Sequence, residues 1–370
     1  MLNIKPTFRP DAKISIFKLL ILFLISLISF ILFQAGIQRK PYPDQKQMIA
    51  AARQVQLCQA EIRKVCDSLS IEVSQMQDPL QTGLIGLEFS PITTTLGNIE
   101  SKQVSTNPDF AALFIRWFDQ LELRKGDDVV IHASASFPAL IISAICAAET
   151  YRLKPIILSS AGASSFGANR PELTWWDMES ILFTKGLINH RTCFATPGGQ
   201  NDNGSSLWDG GLKICVSAAE RNGLNLIVPA DYFQSVNMKW KFIQDNIQPA
   251  LFINIGGNQS GMGNYPSNLS IPVGFIETRL STDSTAGLIQ KFNNQNIPVI
   301  HLLQIRDIAA ENGLGSDIAS FTSVGKSDVY FFSNQSKTLT SFAILLVLGS
   351  WLGFYLTERL RKTTCQDSGE

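Results

Sequence analysis

Two long apolar runs, one near each end of the chain, dominate the pattern of hydrophobic positions. No charged residue occurs in residues 19–38 or in residues 338–357. A helix of about 20 such residues crosses a hydrocarbon core of about 30 Å, so both runs are predicted to be transmembrane helices. Trp351 and Tyr355 suit a membrane–water interface near the end of the second run. The alternatives are a cleaved signal peptide for the first run and a buried core helix for the second.

Cationic residues flank the two apolar runs. Because positively charged flanks stay in the cytoplasm, residues 1–18 and 358–370 are predicted to be cytoplasmic and the middle of the chain extracytoplasmic. The flanking cations are Lys5, Arg9, Lys13 and Lys18 before the first run, and Arg359, Arg361 and Lys362 after the second. Three cations on the opposite side of the first run oppose this orientation, namely Arg39, Lys40 and Lys46.

A long helical segment follows the first apolar run. Residues 45–75 contain no Gly or Pro, and their apolar side chains recur at near-helical spacing. Pro41 and Pro43 make a stiff exit from the first run, and Asp44 can cap the helix. The pattern predicts a helical stalk over 41–78, and the alternative is a helix that packs on the domain after it.

From residue 83 to residue 335, short apolar runs alternate with helical patterns. Continuous apolar strands that alternate with helices are typical of a parallel sheet covered on both faces. The predicted fold class is therefore α/β, with a mostly parallel, doubly wound (Rossmann-like) sheet between terminal transmembrane helices. The predicted strands are 84–87, 129–131, 155–158, 226–228, 251–255 and 298–303. The predicted helices are 109–121, 138–151, 175–185, 208–222, 231–246 and 282–293.

Charge and cysteine content narrow the function classes. The chain has 370 residues, 31 of them basic and 31 acidic, so it lacks the basic excess that a nucleic-acid-binding protein needs. No CxxC or Cys/His spacing indicates a metal site.

Cys58 and Cys66 would lie about 12 Å apart along one helix, which is too far for a disulfide between them. Cys146 lies in an apolar run and is expected in the core.

Small and hydroxyl residues follow several of the predicted strands. In open α/β sheets, ligands bind beyond the carboxyl ends of the strands. The stretch IILSSAGASSFGAN (156–169) changes from an apolar strand to Ser, Ala and Gly, which let a ligand approach the backbone closely. Ser134 and Ser136 precede a predicted helix, whose free N–H groups favour an anion. The predicted ligand contacts are Ser134, Ser136, Ser159, Ser160, Ser164, Gly256 and Gly257. The alternative is that these residues only cap helices and form turns.

Three ionisable side chains near these strand ends are candidate catalytic residues. His132 ends a predicted strand and could act as a base for a serine nucleophile. Asp177 and Glu179 could act as an acid and a base, or could be carboxylates that favour a helix start. His301 lies in the apolar run PVIHLL and is expected to be a core histidine. No G-x-S-x-G, H-E-x-x-H or P-loop motif is present, so the sequence specifies no cofactor.

Four stretches of the chain resemble the bacterial poly-gamma-glutamate system protein family. The longest comprises residues 136–179, and shorter matches comprise 87–113, 253–257 and 298–303. This family is tied to machinery that makes, exports or attaches poly-gamma-glutamate, an anionic polymer of the cell surface. No catalytic residues are carried over from the family.

The resemblance implies a bacterial cell-membrane protein with two spans that acts as an accessory factor in poly-gamma-glutamate biosynthesis or export. Its expected partners are the lipid bilayer, other membrane subunits of that machinery, and the polymer or a small anionic ligand, with no nucleic acid. Two further functions stay open at this point. One is a membrane-anchored hydrolase or transferase that acts on the polymer, and the other is a scaffold for the other membrane subunits.

Overall fold

The computed structural model describes residues 16–266, 268 and 271–367. These residues form two compact units, of which one is Tyr42–Tyr330 and the other combines the segments up to Pro41 and from Phe331. The helices are α1 (Ile16–Ala35), α2 (Gln45–Ser68), α3 (Ile99–Ser105), α4 (Phe110–Gln120), α5 (Pro138–Thr150), α6 (Trp175–Thr184), α7 (Gly211–Arg221), α8 (Tyr232–Asn246), α9 (Gln259–Met262), α10 (Leu288–Asn294), α11 (Ile305–Glu311) and α12 (Lys337–Asp367). The strands are β1 (Ile37–Pro41), β2 (Asp128–Ser134), β3 (Lys154–Ser160), β4 (Asn169–Arg170), β5 (Leu173–Thr174), β6 (Thr192–Thr196), β7 (Pro249–Ile255), β8 (Gly274–Ile276), β9 (Val299–Leu302) and β10 (Phe331–Gln335).

The terminal unit consists of two packed helices and a two-stranded ribbon. Two of its segments, Ile16–Ala35 and Lys337–Thr357, are long and apolar enough to cross a membrane, as the apolar runs predict. The helices α1 and α12 pack against each other, and most of their large apolar side chains are exposed, for example Phe17 and Leu345. The strands β1 and β10 pair antiparallel. The first helix ends at Ala35, three residues before the predicted end of the span at residue 38, because Ile37 and Gln38 belong to β1.

The central sheet of the Tyr42–Tyr330 unit has six strands in the order β6-β3-β2-β7-β9-β8. All neighbours pair in parallel except β8 and β9. The chain runs from β2 outward through β3 to β6 and then returns to the other side of β2 with β7. The α/β class with a mostly parallel sheet is confirmed. The return creates a switch point between β2 and β7, which is the position where such sheets bind ligands.

Helices cover both faces of this sheet because its central strands are apolar on both sides. Val130 packs in one core cluster with residues of α8 and α10. Val129 and Ile131 point to the opposite face and are also fully buried. The helix α5 contacts β2 and β3, and α2 packs against α4 and α5. The helix over Gln45–Ser68, predicted as a stalk, is therefore part of the folded unit, with Met48, Ala52 and Val55 fully buried.

Two of the predicted strands are wrong, and two strands of the central sheet were not predicted. Residues 84–87 lie outside the sheet, because Leu87 exchanges two hydrogen bonds of 2.8 Å with the side-chain amide of Asn169 instead of pairing with a strand. Residues 226–228 form a single bridge, between Leu226 and Ala195. The strand at Thr192–Thr196 and the antiparallel strand at Gly274–Ile276 take the two edges of the sheet.

Candidate functional site

A cleft of about 560 Å³ opens at the carboxyl ends of the parallel strands, beside the switch point between β2 and β7. We call it the strand-end cleft. Its walls come from α3 and the segment before it, the ends of β2 and β3 with the segments that follow them, the loop after β6 and the loop after β7. The residues that line it include Lys102, Ser134, Ser136, Phe137, Ser160, Ser164, Asp202 and Gly257.

The strand-end cleft brings together five of the seven residues predicted as ligand contacts, namely Ser134, Ser136, Ser160, Ser164 and Gly257. The two others do not line it. Side chains alternate along a strand, so Ser159 points away from its neighbour Ser160. The hydroxyl of Ser159 is buried instead between Thr192 Oγ1, at 2.8 Å, and Trp176 Nε1, which donates to it at 2.8 Å.

Gly256 lies behind the cleft wall and shapes it without lining it. Its φ is +86°, a left-handed backbone conformation that glycine adopts without strain. A Cβ at this position would lie 2.6 Å from Ser134 Oγ. The glycine therefore allows the turn after β7 to pack directly against the serine that ends β2.

Ser134 has an unsatisfied hydroxyl in the wall of the strand-end cleft. Its side chain is 7% exposed, and its Oγ has no hydrogen-bond partner among the described residues. Buried polar groups are normally hydrogen-bonded, so an orphaned hydroxyl in a cleft wall indicates a place for a ligand. The helix α5 begins at Pro138, four residues further on, and the described residues give its N-cap, Phe137, no side-chain cap. The positive end of α5 thus favours an anion beside this hydroxyl.

Lys102 is the main cleft residue that the sequence did not reveal. It lies on α3 and is 3% exposed. Its Nζ donates to Ser164 Oγ at 2.7 Å and to the backbone oxygen of Ser136 at 2.5 Å, and it lies 3.7 Å from the centre of the Phe137 ring. Within the described part of the chain, no carboxylate forms an ion pair with it. Burial lowers the pKa of Lys102 from 10.5 to about 7 because desolvation penalises the ammonium.

Asp202 is the second charged side chain among the described residues that line the cleft. Its carboxylate is already neutralised, because Lys239 Nζ lies 2.6 Å from Oδ2. Two hydroxyls also donate to it, Thr196 Oγ1 at 2.9 Å and Ser235 Oγ at 2.7 Å. Asn201 and Asp202 both have positive φ values, 57° and 58°, an uncommon conformation that often marks functional loops.

His132 lies behind the cleft in a buried polar chain. Its Nε2 accepts a hydrogen bond from Lys239 Nζ at 3.0 Å, and its Nδ1 therefore donates to Asn254 Oδ1 at 2.9 Å. Burial, and next the charge of Lys239, lower the pKa of His132 to about 3. The structure places this imidazole outside the cleft lining, with both ring nitrogens already engaged. This series of hydrogen bonds continues from Asn254 to His301, which is fully buried in the core. Burial lowers the pKa of His301 to about 4.

Asp177 and Glu179 also lie outside the strand-end cleft. Asp177 caps α6 through Thr174 and accepts a hydrogen bond from Arg221 Nε at 2.7 Å, so it fixes a helix start. Glu179 is fully buried, and its Oε1 accepts from Thr192 N at 3.0 Å and Thr192 Oγ1 at 2.8 Å. Its Oε2 has no partner among the described residues. Burial raises the pKa of Glu179 from 4.5 to about 7.

Among the described residues, no group of three or more His, Cys, Asp or Glu side chains lies close enough together to hold a metal ion.

Comparisons with models of protein families, with curated proteins and with solved structures return no match. The resemblance to the poly-gamma-glutamate system protein family therefore stays a hypothesis.

Proposed function

We propose that the protein is a membrane-anchored binding protein whose strand-end cleft holds a ligand with carboxylate groups. The supporting observation is the position of Lys102, a buried cation without a carboxylate partner in the described structure, in a cleft wall otherwise rich in serine hydroxyls. A buried charge normally needs a partner, because desolvation without pairing is unfavourable. A carboxylate ligand would supply the missing negative charge.

The charges of the described lining favour an anion over a cation. Asp202 is paired with Lys239, so Lys102 in its ammonium form gives the strand-end cleft a net positive charge. The unsatisfied Ser134 hydroxyl and the start of α5 add hydrogen-bond donors on the same wall. A hydrogen bond to a charged group contributes about 1.5–3 kcal/mol, equivalent to about ten- to a hundredfold in Kd.

The size of the strand-end cleft limits the ligand to a small molecule or a short segment of a polymer. Its volume of about 560 Å³ is within the range of small-ligand sites, about 300–1,000 Å³. Each unit of a γ-linked glutamate chain carries one free carboxylate and one amide, which match a lysine and serine hydroxyls. We therefore propose poly-gamma-glutamate or its building block as the ligand, and an accessory role in production or export of the polymer.

The proposed location follows from the two apolar terminal helices and the cations beside them. Both helices are long and apolar enough to cross a membrane. With the cationic flanks inside, the Tyr42–Tyr330 unit would face the outside of a bacterial cell membrane, where an exported polymer passes. Other membrane subunits of that machinery are its proposed partners.

Calorimetry with the full chain in detergent micelles tests the binding function. The probes are γ-glutamyl-glutamate and the same dipeptide with its carboxyls amidated. We expect the acid to bind and the amide not to bind, with Lys102→Met weakening binding at least about tenfold and Ser134→Ala about fivefold. Affinity should fall as pH rises through about 7, because Lys102 then loses its proton.

Two variants outside the cleft serve as matched controls. Ser143 is fully buried in α5 and donates to Ala139 O at 2.8 Å, so Ser143→Ala removes a buried hydroxyl elsewhere. The side chain of Lys64 is 73% exposed on α2, so Lys64→Met removes a cation elsewhere. Equal affinity for the acid and the amide, or an unchanged affinity in Lys102→Met, would reject the proposal and favour a scaffold role.

A further inference from the structure

The strand-end cleft contains a serine and a lysine in hydrogen-bond contact. Lys102 Nζ lies 2.7 Å from Ser164 Oγ, within the reach of a base that takes a proton from a nucleophile. Both residues line the cleft, where a substrate carbonyl can enter. The pair is the one contact between a serine hydroxyl and a basic nitrogen among the described lining residues.

The surrounding residues hold this pair in place. The backbone N–H of Ser164 donates to Ser136 Oγ at 3.0 Å, which fixes the loop that carries the nucleophile. The backbone oxygen of Ser136 accepts a second hydrogen bond from Lys102 Nζ, and the Phe137 ring lies against the amine. One short segment, 136–137, therefore positions both partners.

The environment of Lys102 also supports the neutral amine that a base requires. Burial lowers its pKa to about 7, and among the described residues no charged neighbour counteracts this shift. In the described structure, Asp202 is paired with Lys239, and the carboxylates of α11, the helix that packs on α3, form no ion pair with Lys102. A large fraction of this side chain is thus uncharged near neutral pH.

We propose that Ser164 is a nucleophile activated by Lys102 and that the strand-end cleft transfers acyl groups from an amide or ester to water. The proposed binding function uses the ammonium form of Lys102 and the reaction uses its neutral amine, so the serine–lysine pair does not depend on carboxylate recognition. This activity goes beyond binding and assigns hydrolysis to residues other than His132, Asp177 and Glu179.

The reaction needs only the substrate and water. Ser164 Oγ forms a bond to the carbonyl carbon while its proton passes to Lys102 Nζ. The bond from carbon to the leaving nitrogen or oxygen then breaks, and the leaving group takes the proton from the ammonium. Water next attacks the acyl-serine ester, gives a proton to Lys102, and releases the acid as Ser164 recovers its hydrogen.

Labelling with a small neutral fluorophosphonate tests the pair without relying on carboxylate recognition. The reagent forms a bond from phosphorus to a serine oxygen and releases fluoride. We expect one adduct per full-length chain in detergent, on Ser164, measured by intact mass and peptide mapping. Its rate should rise with pH through about 7, opposite to the pH dependence of ligand binding.

Variants separate catalysis from folding and from binding. Ser164→Ala should give no adduct, Lys102→Met should react at least about a hundredfold more slowly, and Ser143→Ala should react like the unmodified chain. Lys102→Gln is the second variant if Lys102→Met lowers the unfolding temperature. Failure of the chain to react, an adduct that persists in Ser164→Ala, or full reactivity in both lysine variants would overturn the proposal. Dipeptide binding measured on the same samples shows separately whether the binding function holds.

Discussion

Lys102 and Glu179 are both buried ionisable side chains. Burial lowers the pKa of Lys102 to about 7 and raises the pKa of Glu179 to about 7. Their surroundings give them different roles. Lys102 lines the strand-end cleft, so a ligand can reach it and supply a negative charge. Glu179 lies on the buried side of α6, and its Oε2 has no partner among the described residues. Lys102 can therefore contact a ligand in the cleft, whereas the titration of Glu179 affects only how the stability of the fold depends on pH.

Replacement of Glu179 by Gln should remove part of that pH dependence. A carboxyl whose pKa is raised on folding stabilises the native state below its unfolded pKa, about 4.5, and this stability is lost as pH rises through about 7. The expected slope is at most about 1.4 kcal/mol per pH unit. Thermal unfolding between pH 4.5 and pH 8 should therefore show a flatter profile in Glu179→Gln. The exposed Glu220→Gln should keep the original slope, and identical slopes in both variants would contradict the assignment.

At the scale of secondary-structure elements, the turn after β7 packs against Ser134, the residue that ends β2 and lines the cleft. Gly256 has a left-handed backbone, and a side chain there would collide with Ser134 Oγ. The turn thus determines where the hydroxyl at the end of β2 points. This contact joins the two strands on either side of the switch point.

Replacement of Gly256 by Ala should lower both stability and ligand affinity. The left-handed φ costs about 1–2 kcal/mol for a residue with a Cβ, and the contact with Ser134 adds displacement of the cleft wall. Gly126→Ala is a matched control, because Gly126 has a φ of +92° and no atom within 4 Å of its Cβ position. We expect a larger loss of unfolding temperature in Gly256→Ala than in Gly126→Ala, and weaker dipeptide binding in calorimetry only for Gly256→Ala. Equal affinities would show that the turn does not position Ser134.

The element predictions succeed where a pattern is local and fail where a partner is distant. The helix over Pro138–Thr150 matches its predicted start, since Pro occupies the first helical position. Residues 84–87 have the apolar character of a strand, but their hydrogen-bond partners are Phe166 and the Asn169 side chain. The strand Thr192–Thr196 has two threonines and a cysteine among its five residues, so its apolar pattern is weak.

At the scale of the whole molecule, the sequence predicts where the strand-end serines gather, but it does not predict the charged side chain beside them. The alternation of strands and helices predicts a parallel sheet, and its strand ends predict a serine-rich cleft. Lys102 could not be predicted in this way, because a lysine in a polar segment is usually solvated. Its burial depends on residues 136–137 and 164, which are distant in the sequence.

The proposed membrane orientation predicts which cysteines a membrane-impermeant maleimide reaches in intact cells. Cys58 is unsuitable for this test because it is fully buried. A cysteine introduced by Lys64→Cys lies on an exposed position of α2 and should be modified in whole cells. Cys365 belongs to the predicted cytoplasmic tail and should be modified only after lysis. The reverse pattern, detected by mass spectrometry, would place the Tyr42–Tyr330 unit inside the cell.

The ribbon formed by β1 and β10 has a mechanical consequence. Pro41 lies opposite Phe331, so the polypeptide enters and leaves the Tyr42–Tyr330 unit at neighbouring points. A force that pulls on that unit is therefore expected to load α1 and α12 together, because the two helices pack against each other. If both helices cross a membrane, as proposed, they would resist extraction as one packed pair.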